Sequence, residues 1–233
     1  MNFNPEQFGL KRFYLYEIIA TSYSLTDNGS AIVPNASCLG IRILEGNQIQ
    51  ISPFYGTKTY KNLTENSIIT INFVDDIYLY ALAALKEPDS PIGLNDFPSK
   101  YYYFKYLEDR SMDVPYIKKA WGILIGVIAQ EFQKTKKDDI GEIVIPVLNL
   151  NIIYTEKFQE SHKLFNRAEN LALETIILTT RLKIAKLNHN QALFSKIYEK
   201  IIEYKESIQR FGKNNRALKT LELIDNYISY IQF

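Results

Sequence analysis

Residues 49–63 hold the side chains of this chain that are best suited to bind an anion. A strand-like alternating segment is followed by Gly56, and Thr57, Lys58 and Thr59 then stand where a short helix can begin. The first N–H groups of a helix, threonine hydroxyls and an ammonium group can converge on one phosphate. The same residues also fit a plain helix start, in which Thr57 or Thr59 caps the helix and Lys58 faces water. Taken alone, the segment favours the capping explanation. The choice between capping and an anion site depends on the rest of the sequence.

The sequence contains few other groups arranged for catalysis. It has no Walker loop before Lys58 and no G-x-G-x-x-G after a predicted strand, which removes support for a nucleotide triphosphatase or a Rossmann enzyme. His162 and His189 lie in polar stretches without the spacing of metal ligands, so both are expected at the surface and no metal site is predicted. Asp75 and Asp76 are adjacent and should face apart, and one of them is expected to cap a helix.

The composition is that of a globular protein that can bury a large core. The chain has 233 residues, of which 46% are hydrophobic, and a net charge of +1. A charge so close to zero argues against nucleic acid or an anionic membrane as the main partner. Cys38 is the only cysteine, so no intrachain disulfide can form. We find neither a signal peptide nor an apolar run of the ~20 residues that span a membrane, and we expect a cytoplasmic protein.

Up to about residue 154 the hydrophobic pattern predicts mainly strands. Alternation and β-branched residues indicate seven of them, at residues 13–24, 38–44, 48–54, 67–73, 101–107, 120–132 and 143–154. Short helices are expected after Gly56 and after Asp75 or Asp76, and loops at residues 87–98 and 134–141. Many strands of uneven length with few helices favour a barrel over a doubly wound sheet.

After residue 154 the hydrophobic pattern becomes helical. One helix is expected over residues 164–187, a second that Asn190 caps and Gly212 ends, and a third near the end of the chain. The last two carry apolar stripes at steps of three and four: Phe194, Ile197, Ile201, Tyr204, Ile208 and Phe211, then Ala217, Leu221, Ile224, Ile228 and Ile231. The stripes fit a core or a contact with a second copy. The sequence thus predicts a β domain at residues 1–155 and a helical module of about three helices at residues 156–233.

Several short segments occur in a recognisable order. They are EIIAT at residues 17–21, NASCLG at 35–40, GTKTYKNL at 56–63, NFVDD at 72–76 and NRAE at 166–169, followed by Glu174 and residues 179–181. This ordered set resembles the mainly archaeal family called domain of unknown function 447, over nearly the whole chain. The resemblance implies an FMN-binding split β-barrel similar to that of flavin reductases. It also implies a homodimer with FMN near the interface.

Carried onto this sequence, the resemblance implies that Gly56, Thr57 and Thr59 hold the FMN phosphate. Lys58 would neutralise part of its charge, and the backbone of residues 35–38 would lie against the isoalloxazine and ribityl. The sequence departs from the family pattern here, which has alanine, proline and isoleucine at the positions of Ser37, Cys38 and Leu39. The expected FMN-binding set, with Thr21 at its edge, is Thr21, Asn35, Ala36, Ser37, Cys38, Tyr55, Gly56, Thr57, Lys58 and Thr59.

The resemblance also implies a function. The implied function is that of an FMN-dependent oxidoreductase of the flavin-reductase type. In such an enzyme the flavin would perform the redox chemistry, while the protein would bind the phosphate, orient the ring and control access to it. No acid–base residue is assigned, and the substrate and redox partner stay open. The alternative is a protein that binds flavin without turnover, as a carrier, a sensor or an assembly partner. A third hypothesis gives the helical module a macromolecular partner.

Overall fold

The computed structural model describes residues 3–10, 12, 15–87, 95–138, 141–160, 167–211 and 215–232. Contacts between Cα atoms divide the chain into two compact units. Unit 1 comprises Met1–Asp75, Pro98–Lys137 and Glu142–Ser161, and unit 2 comprises Asp76–Phe97, Asp138–Gly141 and His162–Phe233. The boundary after residue 155 stays a prediction, while the grouping of residues 76–97 with the C-terminal helices is not foreseen by the sequence pattern.

Most of unit 1 is a barrel. Its six strands are β1 (Leu15–Leu25), β2 (Ile32–Ile43), β3 (Ile49–Ile51), β4 (Ile68–Phe73), β7 (Gly122–Asp138) and β8 (Gly141–Lys157). The barrel is closed and antiparallel, in the order β1-β2-β3-β8-β7-β4. It closes where β1 pairs with β4, with Thr21 opposite Thr70. The predicted barrel is therefore confirmed.

Strand β4 is buried along its whole length because both of its faces are covered. One face contributes Ile69 and Ile71 to the barrel core. On the other face Ile68 packs in a second cluster, which contains residues of a hairpin formed by β5 (Tyr102–Leu107) and β6 (Met112–Ile117). In a strand covered on both faces nearly every side chain is buried, so its sequence is a continuous apolar run. This explains the isoleucine-rich sequence of β4.

Helix α1 (Lys58–Asn66) follows β3 and packs against β1 and β2. Its buried face is formed by Thr59, Asn62 and Leu63, which are spaced by three and four residues as one helix face requires. Leu63 belongs to the barrel core, so α1 is anchored there by an apolar side chain. Ser67, with φ of 56°, ends the helix, and its N–H donates to the Leu63 carbonyl at 2.8 Å.

Unit 2 is helical. It contains α2 (Ile77–Ala84), α3 (Arg167–Leu187), α4 (Gln191–Phe211) and α5 (Asn215–Gln232). The predicted caps are confirmed: Asp76 accepts from the Tyr78 N–H at 3.1 Å, and Asn190 accepts from the Leu193 N–H at 3.0 Å. The predicted stripes are buried at Ile197, Ile201, Ile208, Ala217, Leu221, Ile224, Ile228 and Ile231. No described helix is both long and apolar enough to cross a membrane.

Several strands differ from the sequence prediction, among them β3, which spans only Ile49–Ile51 instead of residues 48–54. Strand β2 begins at Ile32 instead of residue 38, because it pairs with β1 over its whole length, from Arg42 to Ile32. Strand β7 continues to Asp138, so residues 134–138 are strand instead of loop, and residues 139 and 140 of the predicted loop lie outside the described residues. Strand β6 is missing from the prediction, since Pro115 masks a segment whose Ile117 is fully buried.

Candidate functional site

The connection from β3 to α1 is an exposed turn that needs glycine at one position. Gly56 has φ of +77°, and a Cβ placed there would meet no atom within 4 Å. The turn is closed by the Thr57 N–H, which donates to the Phe54 carbonyl at 3.3 Å. Positive φ strains any residue that has a Cβ, so the backbone favours glycine at this position. Because glycine has no side chain, the space above the turn is open.

Thr57 is the N-cap of α1, as the capping explanation predicts. Its Oγ1 accepts from the Tyr60 N–H at 3.2 Å and donates to the Phe54 carbonyl at 2.7 Å. A hydroxyl has a single hydrogen, so the Thr57 side chain has no second donor to offer a ligand. The N–H groups of Lys58 and Thr59, in the first turn, have no carbonyl four residues earlier within the helix. Lys58 is exposed, and no acidic residue occupies that turn.

A row of hydrogen bonds runs from β2 to the first turn of α1. Asn35 Nδ2 donates to Thr59 Oγ1 at 3.1 Å, and Thr59 Oγ1 donates to Ser37 Oγ at 2.8 Å. Asn35 and Thr59 are only 2% and 3% exposed, whereas Ser37 is half-buried. The row therefore leads from the interior of unit 1 towards its surface. Thr59 is consequently a buried link in this row and not a cap.

The inner end of the row is fixed by β1. Ser22 lies opposite Asn35 in the β1–β2 ladder and is 1% exposed. Its Oγ accepts from Asn62 Nδ2 at 3.1 Å and is 3.5 Å from Asn35 Nδ2. Both asparagines are thus held by a side chain that sequence reasoning missed. The available signal is the polar Ser22, which follows Ile18 and Ala20 on one face of β1, and the polar Asn62 next to Leu63 on the buried face of α1.

The predicted set is divided between the two faces of the sheet. Asn35 and Ser37 face α1, while the intervening Ala36 faces the same side as its ladder partner Thr21. Thr21 is fully buried, donates to the Pro115 carbonyl at 2.7 Å and accepts from Asn72 Nδ2 at 3.1 Å. The structure therefore brings Ser37 and Thr59 together and places Thr21 in a different contact, under the hairpin.

Cys38 and Tyr55 complete the predicted set. Cys38 is half-buried on β2, and Tyr55 is 39% exposed beside Gly56. The Tyr55 ring meets the Tyr60 ring edge-on, with centroids 5.0 Å apart. The Tyr60 hydroxyl donates to Glu131 Oε1 at 2.7 Å, and this hydrogen bond raises the pKa of Tyr60 to about 12. Two further residues at the junction, Tyr60 and Glu131, were thus not predicted.

The other candidate catalytic groups of the sequence are Asp75, His162 and His189. Asp75 accepts from Trp121 Nε1 at 3.1 Å, and His189 is exposed, as predicted. His162 lies outside the described residues. Over the described ranges no group of three or more histidine, cysteine, aspartate or glutamate side chains could hold a metal ion.

A second charged cluster lies in unit 1, beside a groove of about 880 Å³ lined by residues 105–110 and 152–154. Lys105 and Tyr154 both donate to Glu156 Oε2, at 3.1 and 2.6 Å. Burial raises the pKa of Glu156, but the hydrogen bonds from Tyr154 and Lys105 outweigh it and hold that pKa below its usual value. None of the predicted binding residues lines this groove.

Comparisons with known proteins bear on both the family and the fold. Residues 16–109 match the model of the N-terminal domain of the protein of unknown function DUF447. No curated protein matches the chain in sequence. The FMN-bound DUF447 protein of Methanosarcina mazei is similar in structure, with a TM-score of 0.72, 19% identity, and coverage of 96% of this chain and 100% of that one.

Flavin reductases are also among the similar structures, at lower scores. The styrene monooxygenase flavin reductase of Pseudomonas putida S12 has a TM-score of 0.42 and 12% identity, and the match covers 66% of this chain and 87% of the reductase. A flavin reductase domain protein from Arthrobacter sp. FB24 has a TM-score of 0.43 and 13% identity, with coverage of 63% and 80%. The fold assignment therefore rests on the Methanosarcina protein, whose fold this chain shares. Residues 16–109 of this chain match the family model of the DUF447 N-terminal domain, and the predicted resemblance to this family is confirmed.

Proposed function

We propose that this chain is an FMN-binding flavoprotein that holds the phosphate of the cofactor at the start of α1. The observation that carries the proposal is the first turn of this helix. There the N–H groups of Lys58 and Thr59 lack intrahelical acceptors, Lys58 adds a positive charge, and the space above Gly56 is open. These are the groups that a dianionic phosphate requires, so the residues present fit FMN.

Two further observations support the choice of FMN over a simple phosphate ester. The chain shares the fold of a protein whose structure contains FMN, over 96% of its length. The aromatic side chains of Phe54 and Tyr55 are 45% and 39% exposed next to the junction. An apolar ring system with a charged tail would use both kinds of surface.

The roles of the residues follow from their contacts. The first turn of α1 would bind the phosphate, and the backbone of residues 35–38 would orient the ring. Thr57 would act through the helix start that it caps, because its hydroxyl hydrogen is already donated to Phe54. Bound FMN supplies two-electron redox chemistry, and the protein contributes binding and orientation. We assign no acid–base residue.

We propose an oxidoreductase of the flavin-reductase type as the activity, with an unidentified substrate. Binding of flavin without turnover, as a carrier, sensor or assembly partner, is the second candidate. It is favoured by one observation: the Tyr60 hydroxyl donates to Glu131, and this hydrogen bond raises the pKa of Tyr60 to about 12, so this side chain is poorly suited to exchange protons near neutral pH. Reduction of bound FMN by NADH or NADPH distinguishes the two, since only the enzyme is expected to turn over.

We also propose a cytoplasmic homodimer with FMN near the interface. The exposure of Phe54 and Tyr55 beside the junction supports it, because a second copy would cover these side chains. Sedimentation of the purified protein tests the dimer, and a monomer at all concentrations contradicts it.

The experiment that tests FMN binding starts from the absorbance spectrum of protein purified without added cofactor. Fluorescence titration then compares FMN with riboflavin, which lacks the phosphate. We expect FMN to bind at least tenfold more tightly, which corresponds to about 1.4 kcal/mol. Equal affinity for the two flavins, or no binding of either, would refute the proposed phosphate site.

A further inference from the structure

Ser37 is the last member of the row of hydrogen bonds that runs from Asn35 through Thr59, and its hydroxyl still has a hydrogen to donate. Thr59 Oγ1 accepts a hydrogen from Asn35 and gives its own to Ser37 Oγ. Each hydroxyl carries one hydrogen, so the hydrogen of Ser37 is still available. Within the described part of the chain it is donated to no acceptor.

The position of this hydroxyl is set by its neighbours. Ser37 Oγ lies 2.8 Å from the side chain of Thr59, the second residue of α1. Ser37 Oγ is therefore hydrogen-bonded to a side chain of the same helical turn whose Lys58 and Thr59 N–H groups lack intrahelical acceptors. Thr59 is almost completely buried, and its hydroxyl fixes the acceptor side of Ser37 Oγ, which directs the remaining hydrogen away from Thr59. Successive hydrogen bonds also polarise one another, which makes the last donor of the row stronger.

We infer that the Ser37 hydroxyl donates a hydrogen bond to the phosphate of FMN, and that Thr59 is a positioning residue that orients Ser37. This inference rests on the proposed function and deepens it. It reassigns the hydroxyl contact with phosphate, which the resemblance gives to Thr57 and Thr59, to a side chain on β2. Both threonine hydroxyls already donate their hydrogens within the protein, to Phe54 and to Ser37.

The test compares Ser37→Ala with the unmodified protein in FMN and riboflavin titrations. A hydrogen bond to a charged group contributes about 1.5–3 kcal/mol, so Ser37→Ala should weaken FMN binding roughly 10- to 150-fold. Riboflavin affinity should not change, because it lacks the phosphate. Ser229→Ala, which removes an exposed hydroxyl of α5 in unit 2, is the matched control and should leave both affinities unchanged.

Variants of Thr59 test the positioning role. Thr59→Val removes the hydroxyl but keeps the shape, so FMN affinity should fall while riboflavin affinity is retained. Thr59→Ser keeps the hydroxyl and should restore the preference for FMN. The fluorescence of Trp121, the single tryptophan, reports whether each variant keeps the fold of unit 1.

The outcomes separate this inference from the proposed function. If Ser37→Ala prefers FMN as strongly as the unmodified protein does, the inference is wrong and the phosphate site stands. If the variant loses affinity for both flavins equally, Ser37 contacts another part of the ligand and the inference is again wrong. If the unmodified protein itself shows no preference for FMN, the proposed function fails first.

Discussion

Replacement of Gly56 by alanine tests whether the turn before α1 is built as described. Gly56 has φ of +77°, and no atom lies within 4 Å of the position that the alanine Cβ would take, so the substitution adds backbone strain without a steric clash. A left-handed conformation costs an L-residue about 1–2 kcal/mol. Alanine also lowers the conformational entropy of the unfolded chain, which stabilises the folded protein by about 0.4–1 kcal/mol. The free energy of unfolding should therefore fall by roughly 1 kcal/mol, the difference between these two effects.

Gly46→Ala is the matched control. Gly46 lies in the turn between β2 and β3, has φ of +68° and is equally free of neighbouring atoms. Urea unfolding followed by Trp121 fluorescence should give the same loss for both variants, because the strain is the same. FMN affinity should fall only in Gly56→Ala, where the turn belongs to the proposed site. A gain of stability in Gly56→Ala would refute the positive φ, and a loss above ~3 kcal/mol would refute the open space.

Other residues give further tests. Thr57→Ala should destabilise the protein by about 1 kcal/mol in urea unfolding, whereas Thr57→Ser should not, because only alanine removes the cap. Asn72→Leu should destabilise it by roughly 1–3 kcal/mol, because it leaves the buried Ile117 N–H, 2.7 Å from Asn72 Oδ1, without an acceptor. Tyr60 should titrate near pH 12 in ultraviolet absorbance, and Glu131→Gln should lower this pKa. In the folded protein the pKa of Tyr60 is raised from 10.0, so the contribution of this tyrosine to stability is complete below pH 10 and is lost as the pH rises through about 12. A titration midpoint of Tyr60 at its ordinary value of 10.0 would contradict the hydrogen bond.

The barrel was predictable because its signals are local. Alternation marks the apolar face of each strand, and turn residues separate the strands, so most of the barrel strands and the helical stripes are found in the sequence. Gly56 and Thr57 are also local signals, since positive φ and a helix cap depend on the immediate neighbours. These positions were therefore identified correctly as a helix start.

The missed parts depend on partners that are distant in the chain. Ser22 and Asn62 are separated by 40 positions, so the sequence of neither segment shows which partner its polar side chain has. Thr59 looks like a cap in sequence, yet its hydroxyl is committed to Ser37 because α1 lies against β2. Strand β6 forms despite Pro115, since it pairs only with β5 and its other edge needs no ladder.

The attachment of the β5–β6 hairpin has a consequence for local unfolding. The hairpin forms its own two-stranded sheet, so its link to the barrel depends on packing and on side chains such as Asn72 and Thr21. A segment without a shared ladder can open as a cooperative unit at a lower free energy than the barrel strands. The amide of Ile117 should therefore exchange with deuterium before those of β4, and the barrel should keep its protection while the hairpin opens.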